Sequence, residues 1–128
     1  LVKMLSPVNG AALLVSSYTH PEYETVMLNT LQTMKAHAML LRGTEGEPVA
    51  DPRRLRKDIR LLNGQVLDMH DPDDAGSVET LELPLNMSAE ETAAYIRALI
   101  KQPANVPLPI QTQVKRLVEL ATRITTSA

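Results

Sequence analysis

The stretch from residue 11 to residue 47 constrains the fold most, because it alternates apolar runs with a helical pattern. Apolar runs at 12–16 and 38–41 have the length of buried strands. Between them, Thr19-His20-Pro21 is typical of a helix start, since proline suits the first helical position. A strand, a helix and a strand in this order predict a βαβ unit with parallel strands.

The parallel strands predict where a ligand would bind. Ligands of parallel sheets bind beyond the C-terminal ends of the strands, so residues 18–20 and 43–47 should lie side by side on one edge. Possible ligand contacts at this edge are His20, Thr44, Glu45 and Glu47. The alternative for His20 is a turn residue or the cap of the first helix, a role that Thr19 could also fill.

The first helix carries an apolar stripe at spacings of three and four residues, which predicts packing on the sheet. The stripe consists of Tyr23, Val26, Met27, Thr30, Leu31 and Met34. Its methionines could instead face a cofactor, although a core stripe explains the same spacing. His37 is expected at the end of this helix, where a cation interacts favourably with the helix dipole.

Further elements follow from turn and capping signals. Apolar segments at 59–62 and 65–69 flank Asn63-Gly64, which predicts a β-hairpin with a tight primed turn. A short strand is expected at 78–83. Ser88 and Glu91 form a capping box for a helix that stops before Pro103, and Pro107-Leu108-Pro109 introduces a last helix. We therefore predict an α/β fold with a mainly parallel sheet flanked by helices.

Composition excludes several classes of protein. The 128 residues include no Cys, so a disulfide scaffold and a thiolate metal site are excluded, and a reducing, cytoplasmic location is expected. There is no apolar run long enough to cross a bilayer. The formal net charge of −2 gives no global attraction to nucleic acid, so any such binding requires a local patch. The aspartates at 68–74 lack the spacing of an EF-hand loop, which favours a surface turn.

A basic run supplies such a patch. Five cations occur within eight residues: Arg53, Arg54, Arg56, Lys57 and Arg60. A run of this kind can neutralise phosphates and bind nucleic acid without sequence preference. The alternative is a solvated face, partly neutralised by the acidic segment 68–74 across the hairpin. Weaker candidates on the last helix are Lys115, Arg116 and Arg123.

Three segments carry a resemblance to a known family. They are Ser-Tyr-Thr-His-Pro-Glu-Tyr at 17–23, Leu-Arg-Gly-Thr-Glu-Gly-Glu at 41–47 and Asp-Asp-Ala-Gly-Ser at 73–77. Together with the order of elements, they resemble the C-terminal half of the anthranilate phosphoribosyltransferase and nucleoside phosphorylase superfamily. The second and third segments look more like its second, DNA-binding branch.

The resemblance implies a helical N-terminal domain, a larger α/β domain and a homodimer. Residues 1–128 would then be the C-terminal part of the α/β domain, with the phosphate-binding loops preceding Leu1. True transferases of the family carry an Asp-Glu pair that ligates magnesium shortly after the glycine of the 43–47 turn. The matching positions here are Pro48 and Val49, which offer no carboxylate oxygen to the metal.

These observations predict a non-enzymatic protein that binds DNA, or RNA, through the basic run and needs no cofactor. The missing N-terminal part of the same protein and a second copy are the other expected partners, with no membrane. The alternative is a magnesium-dependent transferase that uses phosphoribosyl pyrophosphate, with Glu45 or Glu47 helping to bind the metal. A third possibility is a subdomain without activity of its own, whose exposed edge strand favours self-association.

Overall fold

The computed structural model describes residues 2–43, 47–72 and 88–126. Four strands and three helices make up this part of the chain. The strands are β1 (Leu13–Tyr18), β2 (His37–Arg42), β3 (Asp58–Leu62) and β4 (Gln65–His70). The helices are α1 (Glu22–Thr33), α2 (Ala89–Lys101) and α3 (Leu108–Thr126), with short 3-10 turns at Val2–Met4 and Pro103–Asn105. The predicted strand at 78–83 lies outside the described residues.

The four strands form one sheet in the order β1-β2-β3-β4. β1 and β2 are parallel, with Leu13 opposite His37 and Tyr18 opposite Arg42, which confirms the βαβ unit. The β2–β3 and β3–β4 pairings are antiparallel. The α/β class is therefore confirmed, but these strands form a mixed sheet rather than a mainly parallel one. The reason is that the β3–β4 hairpin pairs directly with β2, so two of the sheet's three strand pairings are antiparallel.

The hairpin turn has the geometry that Asn-Gly predicts. Asn63 has φ of 50° and Gly64 has φ of 75°, both in the left-handed region that primed turns require. A Cβ on Gly64 would lie 2.6 Å from the carbonyl oxygen of Gln32, so the turn packs closely on the end of α1. His37 was expected to end α1, which is wrong: it begins β2, and its Nδ1 accepts a hydrogen bond from the Asn63 amide at 3.0 Å.

One face of the sheet forms an aliphatic core under α1. Ala38 and Leu40 of β2 alternate along the strand, as do Ile59 and Leu61 of β3, and all four pack with the fully buried Leu31. Met27 and Leu28 of α1 pack against this cluster. The predicted stripe on α1 is only partly right, because Tyr23 and Val26 are 53% and 61% exposed. Leu28 and Leu31 face the sheet instead, so Tyr23 and Val26 lie on an exposed side of the helix.

The opposite face of the sheet lies under α3 and is partly polar. Met39, Leu41 and Asp58 line a small cavity together with Pro109 and Thr112 of α3. Asp58 and Arg60 are both buried on this side of β3. Helices thus cover both faces, which explains why every residue from 58 to 61 is buried.

The helix ends test the capping predictions. Ser88 accepts a hydrogen bond from the Glu91 amide at 3.2 Å, and α2 ends at Lys101, before Pro103, as predicted. At α1 the cap is Pro21, with no side-chain capping bond, so a cap by Thr19 or His20 is wrong.

No helix in the described ranges is long and apolar enough to cross a membrane.

Candidate functional site

The C-terminal ends of β1 and β2 meet at one edge, as the parallel pairing predicts. Tyr18 lies opposite Arg42, and the Gly43 amide donates a hydrogen bond to the Tyr18 carbonyl at 2.9 Å. His20 is exposed here, and its ring meets Tyr23 edge to face with ring centres 6.1 Å apart. Glu47 is also exposed at this edge. Thr44 and Glu45, the other predicted ligand contacts, lie outside the described residues.

A polar cleft with a volume of about 340 Å³ opens at this edge. The charged side chains that line it come from β2, α1, the 51–57 loop and the segment after β4. Four are cations and two are carboxylates: Arg42, Arg54, Arg56, Lys57, Glu24 and Asp71. The excess of cations makes the cleft suitable for an anion. We call it the cationic cleft.

Arg42 is a functional candidate that the sequence analysis missed. It is the last residue of β2, it is exposed, and it lies outside the basic run. The parallel register brings it beside Tyr18 and therefore to the wall of the cleft. The available signal was its position at the end of a predicted strand, on the edge where ligands of parallel sheets bind.

Glu24 neutralises part of the cleft. Its carboxylate accepts a hydrogen bond from Lys57 Nζ at 2.7 Å and another from the Tyr18 hydroxyl. Burial alone would raise the pKa of Glu24, but these two hydrogen bonds outweigh burial and lower it. Burial and the bond to Glu24 raise the pKa of the Tyr18 hydroxyl. Tyr18 therefore stays protonated and holds Glu24 in place.

The basic run divides according to its partners. Lys57 is bound to Glu24 and lies 4.0 Å from Asp71. Arg53 is paired with the buried Asp51 at 2.9 Å, although its own side chain is 64% exposed. Arg54 is exposed, and among the described residues its side chain has no hydrogen-bond or ion-pair partner. Arg54 is therefore the member of the run most available to a ligand.

Arg60, the last member of the run, is turned into the protein. Its side chain is only 7% exposed, and its guanidinium donates to Asp68, to Glu119 at 3.0 Å and to the Arg116 carbonyl at 3.1 Å. This corrects its predicted role as a phosphate contact, because these partners use its donors. The acidic segment across the hairpin thus neutralises this end of the run, as the alternative interpretation expected.

Arg116, a weaker candidate on α3, belongs to the same arrangement. It pairs with Asp58 at 2.6 Å and with Asp68 at 2.8 Å. The hydrogen bonds from Arg60 and then from Arg116 outweigh burial and lower the pKa of Asp68 to about 2. The hydrogen bond to Asp68 likewise raises the pKa of Arg60. These residues, Asp58, Arg60, Asp68, Arg116 and Glu119, form what we call the α3 ion network.

Arg56 lies between the cationic cleft and the interior. It lines the cleft and also the small cavity of about 30 Å³ under α3. Its Nε is buried without a hydrogen-bond partner in the described part of the chain, as is Nδ1 of His70 on the same cavity. Arg56 is half-buried and lines both spaces, so it forms the inner wall of the cationic cleft.

The described residues do not fit a magnesium site at this edge. Pro48 and Val49, which offer no side-chain oxygen, are exposed, and the Pro48 carbonyl accepts a hydrogen bond from Gln113. Within residues 2–43, 47–72 and 88–126, no group of three His, Asp or Glu side chains is arranged to hold a metal.

Comparison with known proteins finds a relative in Escherichia coli. The chain is 29% identical over 116 residues to a protein of Escherichia coli (strain K12) named "Uncharacterized protein YbiB". The match covers 89% of this chain and 35% of that protein, so the chain spans about a third of the relative's length. No family model matches. The relative's name assigns no activity, and the functional argument therefore rests on the site.

Proposed function

We propose that the protein binds nucleic acid without sequence preference and without enzymatic activity, using the cationic cleft to hold backbone phosphates. The observation that carries the proposal is the convergence of Arg42, Arg54 and Arg56 on one edge of the sheet. Arg54 and Arg42 are exposed and have no ion pair among the described residues, so both are available to a phosphate. Arginine suits this role because its planar donors match phosphate oxygens.

The chemistry of the cleft supports contact with the backbone rather than with bases. Contacts to phosphates position a protein on nucleic acid but carry no sequence information. The polar groups of the cleft are mainly long cationic side chains, and its one aromatic residue, Tyr18, is buried and bound to Glu24. Such a site would accept either DNA or RNA, with an affinity that depends strongly on salt.

The test compares two double variants that lose the same charge. Arg42→Ala/Arg54→Ala removes two exposed cations from the cleft, whereas Lys35→Gln/Lys101→Gln removes two exposed cations that do not line it. Binding to a labelled oligonucleotide is measured by fluorescence anisotropy across a salt series. We expect the cleft variant to bind at least tenfold more weakly. Its log–log salt slope should be shallower by about 1.5, since each lost phosphate contact contributes roughly 0.7–0.9.

The lysine variant is expected to retain most of the affinity and the slope. Equal losses in the two variants would show that net charge alone drives binding, and would overturn the cleft as the site. No binding by the unchanged protein to single-stranded or duplex DNA or to RNA would overturn the proposed function itself.

The alternative, a transferase that uses phosphoribosyl pyrophosphate and magnesium, is tested separately. Glu47 is its one described carboxylate among the predicted ligand contacts, and it is exposed at the same edge. Release of pyrophosphate from phosphoribosyl pyrophosphate, abolished by Glu47→Gln, would favour this alternative over the non-enzymatic proposal.

A further inference from the structure

α2 presents an apolar stripe that the described part of the chain leaves uncovered. None of its residues is buried, and its main contacts are with the 3-10 turn that follows it. Ile96 and Ile100 are 50% and 72% exposed, and Ala89 is exposed as well. Such large aliphatic side chains in a row on one helix are typical of an interaction surface.

The spacing along this stripe is that of a paired helix. Ala89, Ala93, Ile96 and Ile100 follow one another at intervals of four, three and four residues. At 100° per residue they fall within an arc of roughly 60°, which is the narrow seam of a two-helix coiled coil. We call these four residues the α2 seam.

Charges beside the seam identify the occupant. Glu90 and Arg97 lie on the same flank of α2, seven residues apart, and both are exposed. In the described part of the chain neither forms an ion pair. When two identical helices pair antiparallel, this flank of one helix faces the same flank of the other. Glu90 of each copy then approaches Arg97 of the second copy, forming two equivalent ion pairs.

The same antiparallel arrangement matches the sizes of the seam residues. A two-fold axis between residues 94 and 95 places Ala89 opposite Ile100 of the second copy and Ala93 opposite its Ile96. Each small side chain then meets a large one, which is how facing helix positions interdigitate. A parallel pairing would put alanine against alanine and bring Glu90 to no cation.

We propose that α2 is a self-association surface, on which a second copy of this chain docks through its own α2 in an antiparallel, two-fold arrangement. An interface formed by two helices of 13 residues is small, so the dimer is reversible and forms at high protein concentration. The proposal is independent of nucleic-acid binding, because α2 contributes no residue to the cationic cleft.

Charge reversal tests both the surface and the orientation. Glu90→Arg places arginine against Arg97 of the second copy at both ion pairs, and Arg97→Glu places glutamate against Glu90. We expect each variant alone to dimerise at least tenfold more weakly in sedimentation velocity, from micromolar to millimolar protein. Mixing the two variants in equal amounts should restore association, since the heterodimer has opposite charges at both positions.

Matched controls separate the interface from general effects of charge and folding. Glu91→Arg makes the same charge change in the first turn, but Glu91 points away from the seam, so dimerisation should be unchanged. Ile100→Ser removes an exposed seam residue and should abolish dimerisation while the helix signal in circular dichroism is retained. A chain that is monomeric at every concentration would overturn the proposal. Failure of the mixture to recover, or an equal loss with Glu91→Arg, would do the same.

Discussion

The two faces of the sheet are stabilised in different ways. Under α1, neighbouring strands contribute aliphatic side chains, with Leu31 and Leu40 fully buried. Under α3, β3 contributes Asp58 and Arg60, and each forms a hydrogen bond with Arg116 of the helix. The same strand, β3, supplies Ile59 and Leu61 to the first face and the charged pair to the second.

The comparison shows that a single strand, β3, can hold two helices through different interactions: aliphatic packing on one face and ion pairs on the other. Aliphatic packing depends mainly on volume, so apolar side chains of similar volume can replace one another at small cost. The α3 ion network depends on donor and acceptor geometry, because buried charges are tolerated only where they are paired and hydrogen-bonded. We therefore expect the network to specify where α3 docks more than to add net stability.

The largest expected effect is on the aliphatic face. Leu40→Ala should lower the free energy of unfolding by about 3 kcal/mol, since it removes buried methyl groups and leaves a cavity. Leu40→Met, which keeps the volume, should cost less than about 1.5 kcal/mol. Both values come from urea unfolding followed by circular dichroism. Similar losses in the two variants would contradict the view that volume governs this face.

A smaller effect is expected in the α3 ion network. Arg60→Met should cost about 2 kcal/mol, because Asp68 and Glu119 lose charged hydrogen bonds while Arg116 still neutralises Asp68. Arg60→Lys should recover little of the loss, since one ammonium cannot reach three partners in different directions. If lysine restored full stability, charge rather than geometry would govern this face, and the contrast between the faces would fail.

The smallest expected effect is on how the stability of the folded protein changes at acid pH. The pKa of Asp68 is about 2 in the folded protein and about 3.9 in an unfolded chain. The stabilisation that it provides is complete above about pH 4 and is lost as the pH falls toward 2. Asp68→Asn should therefore flatten the dependence of urea midpoints on pH in this window. Leu40→Ala, which changes no titrating group, should keep the slope of the unchanged protein.

Part of the acid slope should survive in Asp68→Asn. Glu24 and Asp51 also have lowered pKa values, owing to hydrogen bonds from Lys57 and Arg53 that outweigh burial. Their stabilisation is lost in the same direction as the pH falls. A slope identical to that of the unchanged protein would mean that the Asp68 pairing is absent in solution.

Much of the fold could be predicted from local patterns. The βαβ unit, the Asn63-Gly64 hairpin and the Ser88 cap each depend on residues within one element or one turn. The spacing of apolar residues and the backbone preferences of Asn, Gly and Pro are set by nearby atoms. The edge at which β1 and β2 end together was also predicted, because parallel strands place their C-terminal ends side by side.

The composition of the site could not be predicted in the same way. In the sequence, Arg53 to Arg60 are equivalent cations, yet the fold sends Arg60 inside and leaves Arg54 exposed. The partners that make this division lie far along the chain: Glu24 binds Lys57, and Glu119 binds Arg60. Charge density along a sequence gives no information about partners this distant, although it did indicate the acidic segment that contains Asp68.

The sequence by itself predicted most of the described strands and helices, the Asn63-Gly64 turn and the edge at which β1 and β2 end, because each follows from short-range sterics and periodicity. Only the tertiary structure decided which cations are available and which hold α3 to the sheet. Ion pairing depends on distances of a few ångströms between residues that only packing brings together. The same packing added Arg42 to the cleft and left the α2 seam uncovered in the described part of the chain.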